Sequence, residues 1–93
     1  MYLIHRVSSF KKSYKKLKNS GIRQTVWSDL GFVIDTLASG TNLPEIYQDH
    51  ELKGEYLGYR ECHIKGDLLL IYVIEKEKLI LILANIGSHS ELF

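Results

Sequence analysis

Three of the four histidines lie in the second half of this 93-residue chain, and two carboxylates accompany them. Glu61 precedes His63 by two residues, and Asp67 follows it by four. His50 and His89 lie on either side of this group in the sequence. Imidazole is the side chain that both gives and takes a proton near neutral pH. Three imidazoles with two carboxylates are what acid–base catalysis without a metal ion requires.

A metal site is a second use for the same groups, because three histidines and a carboxylate can hold a zinc ion. The spacing does not favour it, since no two histidines are separated as in HxH or HxxxH and no CxxC pair is present. A third interpretation is that His50 and His63 are ordinary half-exposed polar residues, as isolated histidines usually are. We therefore predict no metal ligands and no cofactor.

The segment around His63 predicts which side chains share a surface. Side chains of a strand alternate between its two faces, so Glu61 and His63 would share one face. Arg60 would lie on the opposite face with Cys62 and Ile64, whose apolar character assigns that face to the core. A structural role is therefore the first prediction for Arg60, although a guanidinium so close to the histidines could also contact a phosphate.

Two helices are predicted to follow a short first strand at residues 2–7. Ser8 or Ser9 is a suitable N-cap for the first helix, which ends near Gly21, a residue suited to a left-handed position. The second helix ends at Gly40 and carries one apolar stripe at helical spacing. The stripe consists of Val26, Leu30, Val33, Ile34 and Leu37.

After the second helix, apolar residues recur at every second position, which is the spacing typical of β-strands. This pattern predicts three strands joined by polar turns, at residues 59–64, 68–74 and 79–86. It also predicts a short strand or an irregular arm at residues 52–57. The resulting order is β-α-α-β-β-β. It predicts an α+β fold in which two N-terminal helices pack on a small antiparallel β-sheet, as a single domain over residues 1–93.

Charge is distributed unevenly along the chain, although the net charge is only +1. Residues 1–28 carry seven Lys or Arg and no acid, whereas residues 29–93 carry five Lys or Arg and all eleven acids. The basic segment could dock an anionic partner, either nucleic acid or an acidic protein segment, or it could be a solvated helix face. The cluster consists of Lys11, Lys12, Lys15, Lys16 and Lys18, flanked by Arg6 and Arg23.

Other properties of the sequence predict a cytoplasmic protein that does not bind membranes. The longest uninterrupted apolar run covers residues 68–74, and a bilayer crossing needs about 20 residues. The amino terminus turns polar within a few residues, so no signal peptide is predicted. The single Cys62 cannot form an internal disulfide.

Phe93, the last residue of the sequence, has two interpretations. It either pins the end of the chain to the core or serves as a platform for base stacking, which is worth about 1–3 kcal/mol per base in single-strand binders. Tyr47, Tyr56 and Tyr59 carry the same ambiguity. Tyr72 lies within an apolar strand and is predicted to be a core residue.

Residues 49–93 contain several motifs in a fixed order: DHxLxG, then GYRxxH, then an Asp before an apolar strand, and finally GSHxxLF. They appear as DHELKGEYLGYRECHIKGDLLLIY and GSHSELF. This pattern resembles the YafQ branch of the RelE/ParE toxin superfamily. The first half of the chain is similar to that family only in its β-α-α order and its basic helix.

The resemblance implies a RelE-like fold and the toxin of a type II toxin–antitoxin pair. Such toxins are small ribonucleases that enter the ribosomal A site and cut the messenger RNA there. Cleavage would resemble that of other metal-free ribonucleases, in which the ribose 2′-oxygen attacks the adjacent phosphate and the 5′-oxygen leaves. That reaction requires a general base, a general acid and positive charge near the phosphate.

The positions that match the family motifs imply a role for each residue. His50 is a candidate general base, His63 a candidate base or phosphate stabiliser, and His89 a candidate general acid. Glu61 occupies an acidic position where close relatives often have Asp, and Asp67 would orient His63. Phe93 would stack on a base. The predicted substrate contacts are Phe93, Arg60 and Lys53.

The resemblance also implies partners. The first is a cognate antitoxin, an acidic and partly disordered protein of the DinJ/RelB kind, in a heterotetramer or a larger complex. The ribosome and messenger RNA are the others. The alternative is a non-catalytic ParE-like toxin or protein-binding module with the same fold, which would not need the histidines. A zinc-binding protein is a more distant third interpretation.

Overall fold

A single mixed β-sheet, covered on one face by two helices, organises residues 1–93, all of which are described by the computed structural model. In chain order the elements are β1 (Leu3–Arg6), α1 (Ser8–Asn19), α2 (Gln24–Ala38), β2 (His50–Glu51), β3 (Arg60–Lys65), β4 (Leu68–Glu75), β5 (Ile80–Ser88) and α3 (His89–Leu92). This architecture confirms the predicted α+β class.

The strand order in the sheet is β1-β5-β4-β3-β2. The last three strands in sequence pair antiparallel, as predicted, and β2 also pairs antiparallel with β3. The prediction of a wholly antiparallel sheet is wrong at one edge, because β1 pairs parallel with β5. The chain passes through two helices and three strands before it reaches this partner, so no local turn sets the relative direction of the two strands.

Helix α1 begins without the serine cap that the sequence predicts. Its N-cap residue is Val7, and no side chain caps the first turn. The hydroxyl of Ser9 donates instead to the carbonyl oxygen of Ala84 at 2.7 Å, which fastens the helix to β5. Gly21 and Gly40 have φ angles of 73° and 83°, as expected for glycines that follow helices. No helix combines the length and the apolar character needed to cross a membrane.

The main core lies between the two long helices and the sheet. The predicted stripe of α2 contributes Leu30, Val33 and Leu37, each at most 4% exposed. Tyr72 of β4 is 1% exposed, which confirms its predicted core position. Fully burying a large apolar side chain stabilises the fold by about 1.5–3 kcal/mol. Cys62 and Ile64 belong to the same cluster, so this face of β3 is the core face, as the alternation predicts.

The segment before β3 departs from its predicted form. Residues 52–57 contain a 3₁₀ turn at Gly54–Tyr56, and the short strand lies immediately before them, at His50–Glu51. Pairing between β2 and β3 places His50 opposite Glu61 and Glu51 opposite Arg60. The sheet itself therefore brings His50 to the residues around His63, which sequence spacing alone did not establish.

Candidate active site

His50 and Glu61 form a close imidazole–carboxylate pair across the β2–β3 ladder. The Nε2 atom of His50 lies 3.1 Å from the Oε2 atom of Glu61. Its Nδ1 atom lies 2.7 Å from the carbonyl oxygen of Gln48. A carbonyl only accepts hydrogen bonds, so Nδ1 donates, and Nε2 can also donate to the carboxylate only when the ring carries both protons. Both ring nitrogens of His50 therefore face oxygen atoms that can accept a hydrogen bond.

Glu61 is the one carboxylate in the chain that is buried, at 5% exposure. Its second oxygen, Oε1, has no hydrogen-bond partner. Leaving a buried polar atom unsatisfied costs about 1–3 kcal/mol, more for a charged group. Such exceptions mark strained or catalytic positions in native proteins. The burial of Glu61 with one unpaired oxygen therefore has a cost to stability, which makes this carboxylate a candidate functional group.

His63 completes the cluster from the same face of β3, as the alternation predicts. Its ring centroid is 6.1 Å from that of His50, and no protein hydrogen bond engages its nitrogens. One ring nitrogen of a neutral histidine is a free acceptor. His63 thus differs from His50, because it can accept a proton without first breaking a hydrogen bond to the protein.

The same three residues offer the ligand types of a transition metal. One ligand atom from each of His50, Glu61 and His63 lies within 4.8 Å of the other two. Ligands of a tetrahedral zinc ion are about 3.3 Å apart, a spacing that the 3.1 Å between His50 and Glu61 already meets. The prediction of no metal ligands rested on sequence spacing, which misses a group assembled from two different strands.

Asp67 is exposed in the turn between β3 and β4, and the hydrogen bond by which it would orient His63 is not formed. The strand register shifts between His63 and Lys65, so that His63 pairs with Leu69 and Lys65 pairs with Leu68. Asp67 lies beyond the last of these pairs. The irregularity in β3, which the sequence did not reveal, separates the two side chains.

His89 lies at the same end of the sheet but does not touch the cluster. The pairings of Leu69 with His63 and with Gly87 place all three residues in one row across β3, β4 and β5. Two strand spacings amount to about 10 Å. His89 follows two residues after Gly87, at the start of α3. His89 therefore lies close to the end of this row, two strands away from the strand that carries His63.

A capping box holds this terminal helix, which the sequence analysis did not predict. The backbone N–H of Ser88 donates to Glu91 Oε1 at 2.8 Å, and the N–H of Glu91 donates to the Ser88 hydroxyl at 3.3 Å. The bonds from the backbone and hydroxyl of Ser88, together with Lys16, lower the pKa of Glu91. The S-x-x-E spacing was the sequence signal for this cap.

Because its pKa is lower in the folded state, Glu91 stabilises α3 above the ordinary carboxyl pKa, and this stabilisation is lost as pH falls through the lowered value. We expect the Ser88 amide resonance to report fraying of α3 in that acid range when followed by NMR. A Glu91→Gln variant keeps an acceptor without the ionisation and should show no such transition. An identical acid transition in that variant would assign it to another group.

Phe93, Tyr56 and Lys53 meet beside His89. The Phe93 ring centroid is 5.1 Å from that of His89 and 5.5 Å from that of Tyr56. Phe93 nevertheless remains 53% exposed, so the contact leaves ring surface free for a base. Lys53, Tyr56 and Phe93 line an open depression of about 360 Å³. Two of the three predicted substrate contacts are thus brought together.

Arg60, the third predicted contact, is directed away from the histidines. Its guanidinium binds Asp49 and Glu51. Burial by itself lowers the pKa of Arg60, but the hydrogen bond and charge of Asp49 outweigh this effect and raise it.

Cys62, two residues after Arg60 on the same face of β3, is fully buried. Burial, followed by the charges of Asp49 and Glu61, raises the pKa of the Cys62 thiol to about 12. Neither Arg60 nor Cys62 is available to a substrate at the cluster.

These features define a small α+β protein with an imidazole–carboxylate cluster at the edge of its sheet. The family model of a bacterial toxin of type II toxin–antitoxin systems, YafQ, matches residues 2–93. The chain therefore belongs to the YafQ toxin family. This confirms the resemblance found from the motifs of the second half and extends it over the first half.

Two relatives support the same assignment. The mRNA interferase toxin YafQ of Escherichia coli K12 is 31% identical over 93 residues, covering 98% of this chain and 99% of that protein. A Haemophilus influenzae protein that carries the toxin YafQ name is 50% identical over 60 residues, 62% of this chain. That second match spans 59% of the length of the Haemophilus protein.

Solved structures share the whole fold. A metal-bound toxin from Helicobacter pylori is 42% identical, with a TM-score of 0.87 and full coverage of both chains. YafQ in the E. coli DinJ–YafQ toxin–antitoxin complex is 27% identical, with a TM-score of 0.83, covering 99% of this chain and 97% of that chain. The chain thus resembles toxins solved with a bound metal and with an antitoxin.

Proposed function

We propose that this protein is the toxin of a type II toxin–antitoxin system and that its 93 residues act as one domain that cuts messenger RNA on the ribosome. The observation that carries the proposal is the cluster of His50, Glu61 and His63, with its free imidazole lone pair and its buried carboxylate. A binding module would have no need for a buried, half-satisfied carboxylate beside two histidines. The E. coli relative described as an mRNA interferase supports the activity.

The contacts of the two clustered histidines support a division of the proton-transfer roles. His63 is the general base that takes the proton of the ribose 2′-hydroxyl, because its ring is not bonded to the protein. His50 lies between the Gln48 carbonyl oxygen and the Glu61 carboxylate, which orient its ring, and in its protonated form it contributes positive charge to the phosphorane. In this scheme the 2′-oxygen forms a bond to phosphorus as the bond from phosphorus to the 5′-oxygen breaks.

The leaving 5′-oxygen requires a proton, and His89 is the group that supplies it. Gly87, two residues before His89, lies about 10 Å from His63 across two strand spacings, which leaves room for the phosphate between the acid and the base. Phe93 stacks on a base next to the cut, and Lys53 contacts a phosphate from the depression they share. Asp67 does not touch His63. In this scheme it therefore acts through a direct contact with the RNA or through a bridging water molecule.

The basic helix α1 is the surface that meets ribosomal RNA. Its lysines are exposed, and only Lys16 forms an ion pair, with Glu91 at 3.2 Å. Exposed pairs of this kind contribute about 0–1 kcal/mol, so Lys16 also remains available to a phosphate. Counterion release on phosphate binding makes such docking dependent on salt.

A cell-free translation system tests the activity directly. Purified protein is added to a translated message and to the same message with translation blocked, and the 5′ ends of the fragments are mapped. We expect cuts only in the translated sample, at positions set by the reading frame. Translation arrest without any cut would favour the non-catalytic, ParE-like alternative, and equal cutting of free RNA would remove the requirement for the ribosome.

The antitoxin is the third partner, and we infer that its acidic, partly disordered segment covers α1 and crowds the histidines in a heterotetramer or larger assembly. The DinJ–YafQ complex supports a partner of this class. If charge drives the contact, the affinity of the complex should fall steeply with added salt. An affinity unchanged between low and high salt would contradict the electrostatic part, and light scattering gives the assembly size.

A transition metal should inhibit rather than assist this enzyme. A copper or zinc ion bound by His50, Glu61 and His63 would occupy the imidazole lone pair that cleavage needs. The metal-bound Helicobacter pylori toxin supports binding of this kind. We expect calorimetry to show one bound Cu²⁺ per chain, tighter than Zn²⁺, with loss of cleavage that a chelator reverses.

Matched variants locate the metal. His50→Ala should weaken Cu²⁺ binding by about 100-fold or more, because it removes a direct ligand. His5→Ala, which removes an exposed histidine from β1 at the other edge of the sheet, should bind as the unmodified chain does. Equal weakening in both variants would mean that the ion is not held by the cluster.

A further inference from the structure

Asp49 connects the segment that carries His50 to the core face of the sheet. Its Oδ1 atom accepts a hydrogen bond from the Tyr72 hydroxyl at 2.6 Å and one from Arg60 Nε at 3.2 Å. Its Oδ2 atom accepts from Arg60 Nη2 at 3.3 Å. One carboxylate thus collects three donors from two neighbouring strands, β3 and β4.

This network lies on the opposite side of the sheet from the proposed catalytic groups. Asp49 and His50 are consecutive, and extended backbone directs consecutive side chains to opposite faces. Asp49 accordingly points to the helix-covered face with Tyr72 and Arg60, while His50 points to Glu61 on the other face. The side-chain bonds of Asp49 therefore act on His50 through the backbone that joins them.

The strand pairing of β2 is short. The strand pairs with β3 over only two residues, and it follows Gln48, which adopts a left-handed conformation at a φ of 49°. It also forms one edge of the sheet. Two residue pairs on an edge are a weak restraint, because nothing pairs with the outer side of the strand. The three bonds to Asp49 restrain this segment from the core side. They act in addition to the backbone bond from the Leu52 N–H to the Tyr59 carbonyl oxygen and the ion pair of Glu51 with Arg60.

Tyr72 is the member of this hydrogen-bond network whose position is set by the core. It is 1% exposed in the middle of the core, and Asp49 is the hydrogen-bond acceptor of its hydroxyl. Burial, followed by the bond to Asp49, raises the pKa of the Tyr72 phenol, so the hydroxyl remains a donor throughout the physiological range. A buried tyrosine hydroxyl normally finds one partner, and here that partner precedes His50.

We propose that Asp49 and Tyr72 are positioning residues for RNA cleavage, which hold residues 48–51 from the core side so that His50 faces Glu61 and the scissile phosphate. This inference rests on the proposed function, because it assigns His50 a part in that reaction. Neither residue touches the substrate. Both act by restricting where the imidazole of His50 lies.

Tyr72→Phe is the variant that tests this role with the least disturbance of the core. It removes one hydroxyl and leaves the ring packed. We expect kcat for cleavage of a translated message to fall about tenfold, the equivalent of roughly 1.4 kcal/mol in the barrier, with KM nearly unchanged. Asp49→Asn, which keeps the shape but weakens the bonds to Arg60, should lower kcat in the same direction.

NMR of the imidazole resonances supplies the readout that a general loss of stability would not produce. In Tyr72→Phe the His50 ring resonances should shift and broaden while those of His5 remain in place. Tyr14→Phe is the matched control, because Tyr14 packs between Phe10 and Trp27 through its ring. It should leave both kcat and the His50 resonances unchanged.

Two results would overturn the proposal: wild-type kcat with wild-type His50 resonances in Tyr72→Phe, or a reduced kcat without any change at His50. Failure of the proposed function is distinguishable, since it would appear as an unmodified chain that does not cut translated messages. In that case the His50 resonances of Tyr72→Phe still decide whether Asp49 and Tyr72 position the imidazole. Shifted resonances would support positioning, and unshifted ones would refute it.

Discussion

Cleavage of a translated message should fall by about 10²–10⁴-fold when His63 is replaced with alanine, because a positioned general base contributes a factor of that size. His50→Ala should reduce it by about 10²–10³-fold through loss of positive charge at the phosphate. The double variant should be little worse than His63→Ala, since groups that serve one transition state are not additive. The measurement is the rate at which mapped 5′ ends appear in a cell-free translation system.

The fourth histidine provides the control for these variants. His5 lies on β1, and three strands separate β1 from β2 at the opposite edge of the sheet. His5→Ala should cut at the rate of the unmodified chain, and all three variants should melt cooperatively because none of the histidines is a core residue. Full activity in His63→Ala with an intact fold would reject the assignment of the base.

Replacing Glu61 with leucine should make the protein more stable and much less active. The carboxylate is buried, one of its oxygens has no partner, and it pairs across the ladder with fully buried Ile71. An apolar side chain of similar size removes the cost of burying an unsatisfied charged group, so we expect the free energy of unfolding to rise by about 1 kcal/mol. Cleavage should fall by about 10²-fold, because the charge of His50 loses its carboxylate partner.

Urea unfolding and the cleavage assay measure the two effects on the same preparation. Glu77→Leu changes an exposed glutamate in the turn between β4 and β5 and should alter neither quantity. Glu61→Gln is informative as well, since it keeps the volume and removes the charge. A Glu61→Leu protein that is less stable than the unmodified chain would mean that the carboxylate contributes more to folding than its environment indicates.

The helices and the three long strands could be predicted because their signals are local. The apolar stripe of α2 and the two-residue period of β3 to β5 depend only on neighbours along the chain. The same alternation separated Glu61 and His63 from Arg60, and the structure confirms that separation. The predicted serine cap of α1 was wrong, since Ser9 found a partner on β5 that is 75 residues distant.

The candidate site was predictable as a set of residues but not as an arrangement. The motifs selected His50, His63 and His89, and the family match extends this pattern over residues 2–93. Which of them meet depends on the pairing of β2 with β3, and that pairing involves only two residues on each strand. Asp67 was expected to orient His63 from the turn between β3 and β4, and it does lie in that turn. The strand register shifts between His63 and Lys65, however, and no hydrogen bond joins the side chains of Asp67 and His63.

By itself, the sequence determined the class of fold, the core face of β3 and the residue types that acid–base chemistry needs, because periodicity and side-chain chemistry are properties of short segments. The tertiary structure alone decided that His50 faces Glu61, that Tyr72 holds Asp49 from the other side of the sheet, and that β1 runs parallel to β5. Those contacts join residues between 11 and 77 positions apart. Their geometry follows from strand register and core packing, which depend on the whole chain at once.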